Sequence, residues 1–134
     1  MINHSVNVVT LAEMEELLKE LRQDDSLHIA EFQGSEIKNY RSFEDTMWET
    51  LQFPLPQYKN FDGYSDWIRD LSWLEKEGYV LVIYDYDDFL SEDKQAKTDI
   101  VFHFINRILI WWKRDVEKCV VEGRTKPFNI YLVI

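Results

Sequence analysis

The segment YVLVIYDY, residues 79–86, limits the possible folds more than any other part of the sequence. It predicts a strand with apolar or aromatic side chains on both alternating faces, which is typical of a strand buried on both sides. Such strands occur in parallel sheets that are covered by helices. Two further strands are predicted, from the alternating run LHIAEFQG at residues 27–34 and the apolar run FNIYLVI at residues 128–134.

Amphipathic periodicity predicts four helices that alternate with these strands. The first opens with Thr10 and Glu13, which are spaced as a capping box, and runs to Gln23. The others are predicted from Ser42 to Leu51, from Asp62 to about Lys76, and from a cap at Ser91 to about Val121, with Gly123 beyond. Strands separated by helices indicate an α/β fold, with a small three-stranded parallel sheet packed with about four helices.

The charge of the chain restricts its partners. It has 15 lysines and arginines against 25 aspartates and glutamates, a net charge of -10. Such a surface repels phosphate backbones and anionic membranes, so we expect neither nucleic acid nor membrane as a partner. It attracts cationic partners, although acidity by itself is equally compatible with a role in solubility alone.

The cysteine content and the apolar runs bear on localisation. Cys119 is the single cysteine, so the chain forms no intrachain disulfide and has no Cys/His metal spacing. The N-terminal residues lack a secretory pattern, and the longest apolar runs are too short to span a bilayer. We expect a cytoplasmic protein that is a monomer when free.

The third predicted helix, in NFDGYSDWIRDLSWL at residues 60–74, has an unusual polar face. Asp62, Asp66 and Asp70 recur every four residues, opposite an apolar face formed by Tyr64, Trp67, Ile68, Leu71 and Leu74. Aspartate is a poor interior helix residue, and like charges four residues apart repel each other. The face is therefore either simply solvated or a recognition surface for a cationic site. Trp73 lies on the same outer arc and is a candidate interface anchor.

A second acidic cluster follows the buried strand. Asp85, Asp87 and Asp88 lie at its C-terminal end, where sites of α/β sheets are found, and carboxylates of this kind can bind Mg²⁺. No nucleophile motif, glycine-rich phosphate loop or convergent lysine accompanies them, which favours a polar turn. Three scattered histidines are interpreted as packed or surface residues rather than catalysts: His4, His28 and His103. We expect no cofactor.

The segment FPLPQYKNFDGYSDWIRDLSWL, residues 53–74, resembles the barstar family, the inhibitors of barnase-type ribonucleases. The family pattern around the inhibitory helix is roughly Pro-x-Tyr-Phe-Gly-x-Asn-Trp-Asp-Ala-Leu-x-Asp-Cys-Leu. It aligns here without a gap, with Asn60 on the Asn, Phe61 on the Trp, and Asp62 and Asp66 on the two aspartates. The order of strands and helices is also similar. The resemblance covers residues 27–134 and leaves residues 1–26 as an N-terminal helical extension.

The resemblance implies a barstar-like fold with a three-stranded parallel sheet, and a non-enzymatic inhibitor that fills the active site of a ribonuclease. Asp62 and Asp66 would meet the basic cleft of the enzyme, with Asp66 in the place of a substrate phosphate. On a helix, carboxylates four residues apart are about 6 Å from each other, close to the spacing of successive phosphates. Tyr58, Asn60, Asp70 and Trp73 are further predicted contacts, and the alternative for Asn60 is a role mainly as a helix cap rather than as a contact.

The sequence departs from the family pattern at several positions. The tyrosine of the family's binding loop falls on Pro56, its glycine falls on Tyr58, and the tryptophan before its second aspartate falls on Ser65. Its acidic contact on a later helix corresponds here to Asp115 or Glu117. These departures bear on which ribonuclease is bound and on whether inhibition is retained.

Three functions are therefore compatible with the sequence. The first is an immunity protein, as in a toxin–antitoxin pair, that inhibits a basic extracellular-type or toxin ribonuclease. The second is a small metal-dependent hydrolase that uses Asp85, Asp87 and Asp88. The third is a barstar-fold protein-interaction module without ribonuclease binding.

Overall fold

The structure, a computed structural model, describes residues 4–55 and 60–134. Within these ranges the protein has one sheet of four parallel strands in the order β1-β4-β3-β2. The strands are β1 (Val6–Val9), β2 (Leu27–Gln33), β3 (Gly78–Tyr84) and β4 (Phe128–Val133). The predicted α/β class and the parallel pairing are confirmed.

The predicted number of three strands is wrong, because β1 is added at one edge of the sheet. Val6 pairs with Ile130 and Val9 pairs with Val133. A strand of four residues is too short to show a clear alternating pattern, and its pairing partner lies far away in the sequence. The short-range signals on which the prediction depended therefore could not reveal it.

The helices agree with the prediction in number and order. They are α1 (Leu11–Leu21), α2 (Tyr40–Thr50), α3 (Phe61–Ile68) and α4 (Lys94–His103). The last continues through two π-helical segments, Phe104–Ile108 and Trp111–Asp115, and ends in α5 (Val116–Cys119). Residues 94–119 are called the long helix below. No helix in the described parts of the chain combines the length and the apolarity needed to cross a bilayer.

The cap residues explain where the helices begin. The predicted capping box of Thr10 and Glu13 is confirmed. The predicted start of the second helix at Ser42 is wrong, because Asn39 caps α2 and accepts a hydrogen bond from the Ser42 N–H at 3.0 Å. Ser42 is instead the third residue of that helix and completes its capping box. The predicted cap at Ser91 is also wrong, since α4 is capped by Asp93.

The sheet has a hydrophobic core on each face. On one face, α1 packs Met14 and Leu18 against Val80, Val82 and Val133. On the other face, α2, α3 and the long helix enclose a larger aromatic core, which includes Phe32, Phe43, Tyr64, Phe89 and Phe104. The residues of β3 from Gly78 to Ile83 are all buried, which confirms the prediction of a strand covered on both sides. The predicted domain boundary at residue 26 stays a prediction.

We expect Gly34→Ala to destabilise the protein by about 2 kcal/mol through overpacking. A Cβ atom on Gly34 would lie 2.7 Å from the Asp85 carbonyl oxygen and even closer to that of Tyr84, and neither backbone group can move freely at the end of β3. Ser35→Ala, at the exposed neighbouring residue, is the matched control and is expected to have little effect. Urea denaturation measures both variants, and equal unfolding midpoints would contradict the prediction.

Candidate functional site

The N-terminus of α3 is fixed by Asn60. Its Oδ1 accepts a hydrogen bond from the Gly63 N–H at 2.7 Å, which confirms its predicted role as a helix cap. Asp62 lies in the first turn, where the positive end of the helix dipole favours a carboxylate, and its side chain is exposed. The cap thus determines the position of the first acidic residue of the candidate site.

The C-terminus of α3 lies earlier than predicted. The helix ends at Ile68 rather than near Lys76, because Leu71 adopts a left-handed conformation with φ 56°. The complete burial of the Leu71 side chain offsets the cost of that conformation. The Asp70 carboxylate accepts a hydrogen bond from the Ser72 N–H at 3.2 Å, an alternative to continued helix. Asp70 therefore lies in a turn and does not extend the helical row of Asp62 and Asp66.

His103 of the long helix anchors the middle of α3 by hydrogen bonds. Its Nδ1 lies 3.1 Å from the Tyr64 hydroxyl and its Nε2 lies 3.3 Å from the Ser65 hydroxyl. A neutral ring accepts at one nitrogen and donates at the other, so both contacts are satisfied. Burial, together with the nearby Arg69 and Arg107, lowers the pKa of His103 to about 4, which keeps the ring neutral at neutral pH.

Two adjacent tryptophans of the long helix anchor the C-terminal end of α3 by hydrogen bonds. Trp112 Nε1 donates to the Ile68 carbonyl at 3.0 Å, and Trp111 Nε1 donates to the Arg69 carbonyl at 2.8 Å. These carbonyls belong to the last turn of α3, where partners within a helix are lacking. The tryptophans lie in a π-helical segment, whose wider turn brings consecutive side chains into more similar directions. Both indoles therefore reach the same helix end.

The carboxylates of α3 are exposed to solvent rather than buried in this attachment. Asp62 is exposed, and the Asp66 side chain is 74% exposed. Arg69 lies 3.2 Å from the Asp66 Oδ1, but a surface ion pair of this kind is worth at most about 1 kcal/mol. Asp66 can therefore exchange Arg69 for another cation at little cost.

The remaining predicted contact residues occupy different environments. Trp73 is half-buried, donates to the Leu51 carbonyl at 2.9 Å and packs edge-on against Trp67 and Phe53. Asp70 is exposed. Tyr58 lies outside the described residues, as does Pro56. The roles of Trp73, Asp70 and Tyr58 in partner binding stay predictions.

A groove of about 580 Å³ lies between α3 and the long helix. We call it the arginine groove, after Arg69, Arg107 and Arg114 in its lining. Asp115, one of the two predicted acidic contacts of the later helix, also lines it, and Arg114 at 2.8 Å lowers the pKa of that carboxyl. Glu117, the other predicted contact, is exposed and is not part of this lining.

The alternative metal site has no support in the geometry. Asp85 follows β3 in a left-handed conformation with φ 47°, and Asp87 and Asp88 are exposed in the short 3₁₀ turn that comes next. Nowhere in residues 4–55 and 60–134 do three or more histidine, cysteine, aspartate or glutamate side chains form a group that could hold a metal ion. The turn instead leads the chain from β3 toward the long helix.

Neither the anchoring of α3 to the long helix nor the arginine groove is predicted from the sequence. The sequence predicts that His103 is a packed or surface histidine, and it is packed, but its contacts with Tyr64 and Ser65 join residues far apart in the chain. The WW pair at residues 111–112 was the available signal, because two adjacent indoles in an amphipathic helix cannot both belong to a simple apolar stripe.

These features define an α/β protein in which the acidic helix α3 is anchored to the long helix and exposes its carboxylates to solvent. The model of the family described as Barstar (barnase inhibitor) matches residues 27–132, from the first residue of β2 to β4. The chain therefore belongs to the barstar family, which consists of inhibitors rather than enzymes and implies a ribonuclease as partner. Comparisons with curated proteins and with solved structures gave no significant match.

The neutral state of His103 predicts a pH-dependent stability. Its pKa is about 4 in the folded protein, against an unfolded value of about 6.5, so the unfolded chain binds the proton more tightly. The stabilisation is complete above pH 6.5 and is lost as the pH falls toward 4. Between pH 7 and pH 5, we expect the free energy of unfolding of the wild type to fall by about 2 kcal/mol more than that of His103→Gln.

Urea denaturation of both proteins at each pH tests this prediction. The comparison with His103→Gln removes the contribution of the carboxylates, because they titrate in both proteins. Parallel pH profiles for the two proteins would show that His103 is not held neutral by the fold.

Proposed function

We propose that this protein is an immunity protein that inhibits a barnase-type ribonuclease by inserting the acidic surface of α3 into the basic active site of the enzyme. The observation that carries the proposal is the exposure of Asp62 and Asp66 on a helix fastened to the long helix, in a member of the barstar family. Asp66 is the proposed central contact, in the place of a substrate phosphate.

The chemistry of a ribonuclease site suits this surface. An enzyme that cleaves RNA stabilises phosphate charge with cationic side chains in a concave site. Carboxylates accept paired, charge-assisted hydrogen bonds from guanidinium groups. The net charge of -10 attracts a cationic enzyme from a distance and raises the rate of encounter, most strongly at low salt.

The attachment of α3 reduces the cost of binding. Because Asn60, His103, Trp111 and Trp112 hold the helix in place before the partner arrives, little backbone entropy is lost in the complex. The proposed setting is the cytoplasm, where a free monomer would neutralise a basic toxin ribonuclease. A role as an interaction module without ribonuclease binding is the alternative that the binding experiment decides.

We expect Asp66→Ala to weaken binding to a barnase-type ribonuclease by about 100-fold, because it leaves the cations of the enzyme's cleft without their counter-charge. The loss should be larger at low salt than at high salt. Surface plasmon resonance against immobilised ribonuclease, including any toxin ribonuclease encoded alongside, measures the affinity.

Asp25→Ala is the matched control for Asp66→Ala. Asp25 is an exposed aspartate in the turn between α1 and β2, so its loss changes the net charge equally. If Asp66→Ala and Asp25→Ala bind with the same affinity, Asp66 has no special contact and the proposed substrate mimicry is wrong.

A further inference from the structure

The arginine groove concentrates positive charge beside an acidic helix. Three of the chain's six arginines line it, although the protein as a whole carries a net charge of -10. Among the described residues that line it, Asp115 is the single carboxylate. The groove is thus locally cationic within a strongly anionic protein.

The arginines of the groove differ in how far they are already paired. Arg69 and Arg114 each contact one carboxylate, at 3.2 Å and 2.8 Å respectively. Arg107 is exposed, and among residues 4–55 and 60–134 it forms neither a hydrogen bond nor an ion pair. Its guanidinium is therefore available to an external anion.

The walls of the groove hold one guanidinium in a defined orientation. Arg69 Nε donates to the Ser65 carbonyl at 3.0 Å, and its guanidinium lies 5.3 Å from the centre of the Trp111 ring. A guanidinium held in this way can donate its remaining N–H groups to an external anion such as a carboxylate. The charge of the groove and the position of this guanidinium thus favour a small anionic group.

The surroundings of the groove exclude a polyanion. Asp62 and Asp66 project from the adjoining face of α3, so a nucleic-acid strand that entered the groove would also meet these carboxylates. A single anionic side chain avoids that repulsion if it belongs to a protein whose cationic groups meet α3.

We propose that the arginine groove binds a carboxylate side chain of the protein that docks on α3, so that the recognition surface carries both signs of charge. This inference rests on the proposed function. A ribonuclease with the required carboxylate beside its basic cleft would bind with both contacts, and one that lacks it would bind less well. The groove would then contribute to the choice among basic ribonucleases.

The first test compares Arg107→Glu with Lys19→Glu in binding to a barnase-type ribonuclease. Both changes alter the net charge equally, but Lys19 is exposed on α1, on the opposite face of the sheet from α3. We expect Arg107→Glu to dissociate about tenfold faster than Lys19→Glu, with Arg107→Gln in between. Equal dissociation rates for all three variants would overturn the carboxylate site while leaving the role of Asp66 intact.

A second test measures ligand binding to the arginine groove in the absence of the ribonuclease. In NMR titrations at constant ionic strength, about 10 mM of a blocked glutamate peptide should shift the Trp111 indole resonance in the wild type but not in Arg107→Glu. The absence of a shift in the wild type, or an equal shift from inorganic phosphate, would overturn the proposal. If the wild type fails to bind the ribonuclease at all, the proposed function is wrong, and this titration alone decides whether the groove takes a carboxylate.

Discussion

The hydrogen bonds that join His103, Trp111 and Trp112 to α3 are the constraint on which the candidate site depends. A helix of eight residues is too short to be stable alone in water, and aspartate in its interior weakens it further. Tertiary contacts must therefore hold α3 in place, and they include these hydrogen bonds with the long helix and the packing of Tyr64 against Phe43 of α2. The outer face of α3 is left free to carry residues that favour recognition over stability.

This arrangement places the two signs of charge on neighbouring surfaces. Carboxylates occupy the outer face of α3, arginines line the groove beside it, and a neutral His103 lines the same groove from the long helix. Had that histidine been charged, it would have repelled Arg69 and Arg107 and weakened the attachment of α3. The burial of His103 thus places the ring in contact with α3 and also keeps it neutral, so that it does not repel the arginines of the neighbouring groove.

The sequence predicts those parts of the molecule whose signals are local. The buried strand β3, the capping box of α1 and the acidic positions Asp62 and Asp66 follow from short-range patterns or from a contiguous motif. The edge strand β1, the early end of α3 and the attachment of α3 depend on contacts between distant segments, such as Trp111 with Arg69. Periodicity cannot report such contacts, because each partner looks ordinary within its own segment.

The strand order also has a consequence for how the chain assembles during synthesis. β4 lies between β1 and β3 in the sheet, yet it follows both in the sequence. On the ribosome, β1 therefore has no neighbouring strand until residues 128–133 have emerged, and the sheet closes only at that point. Such long-range closure is slow relative to helix formation, so nascent chains would expose apolar edges of β1 and β3 that cellular chaperones could recognise.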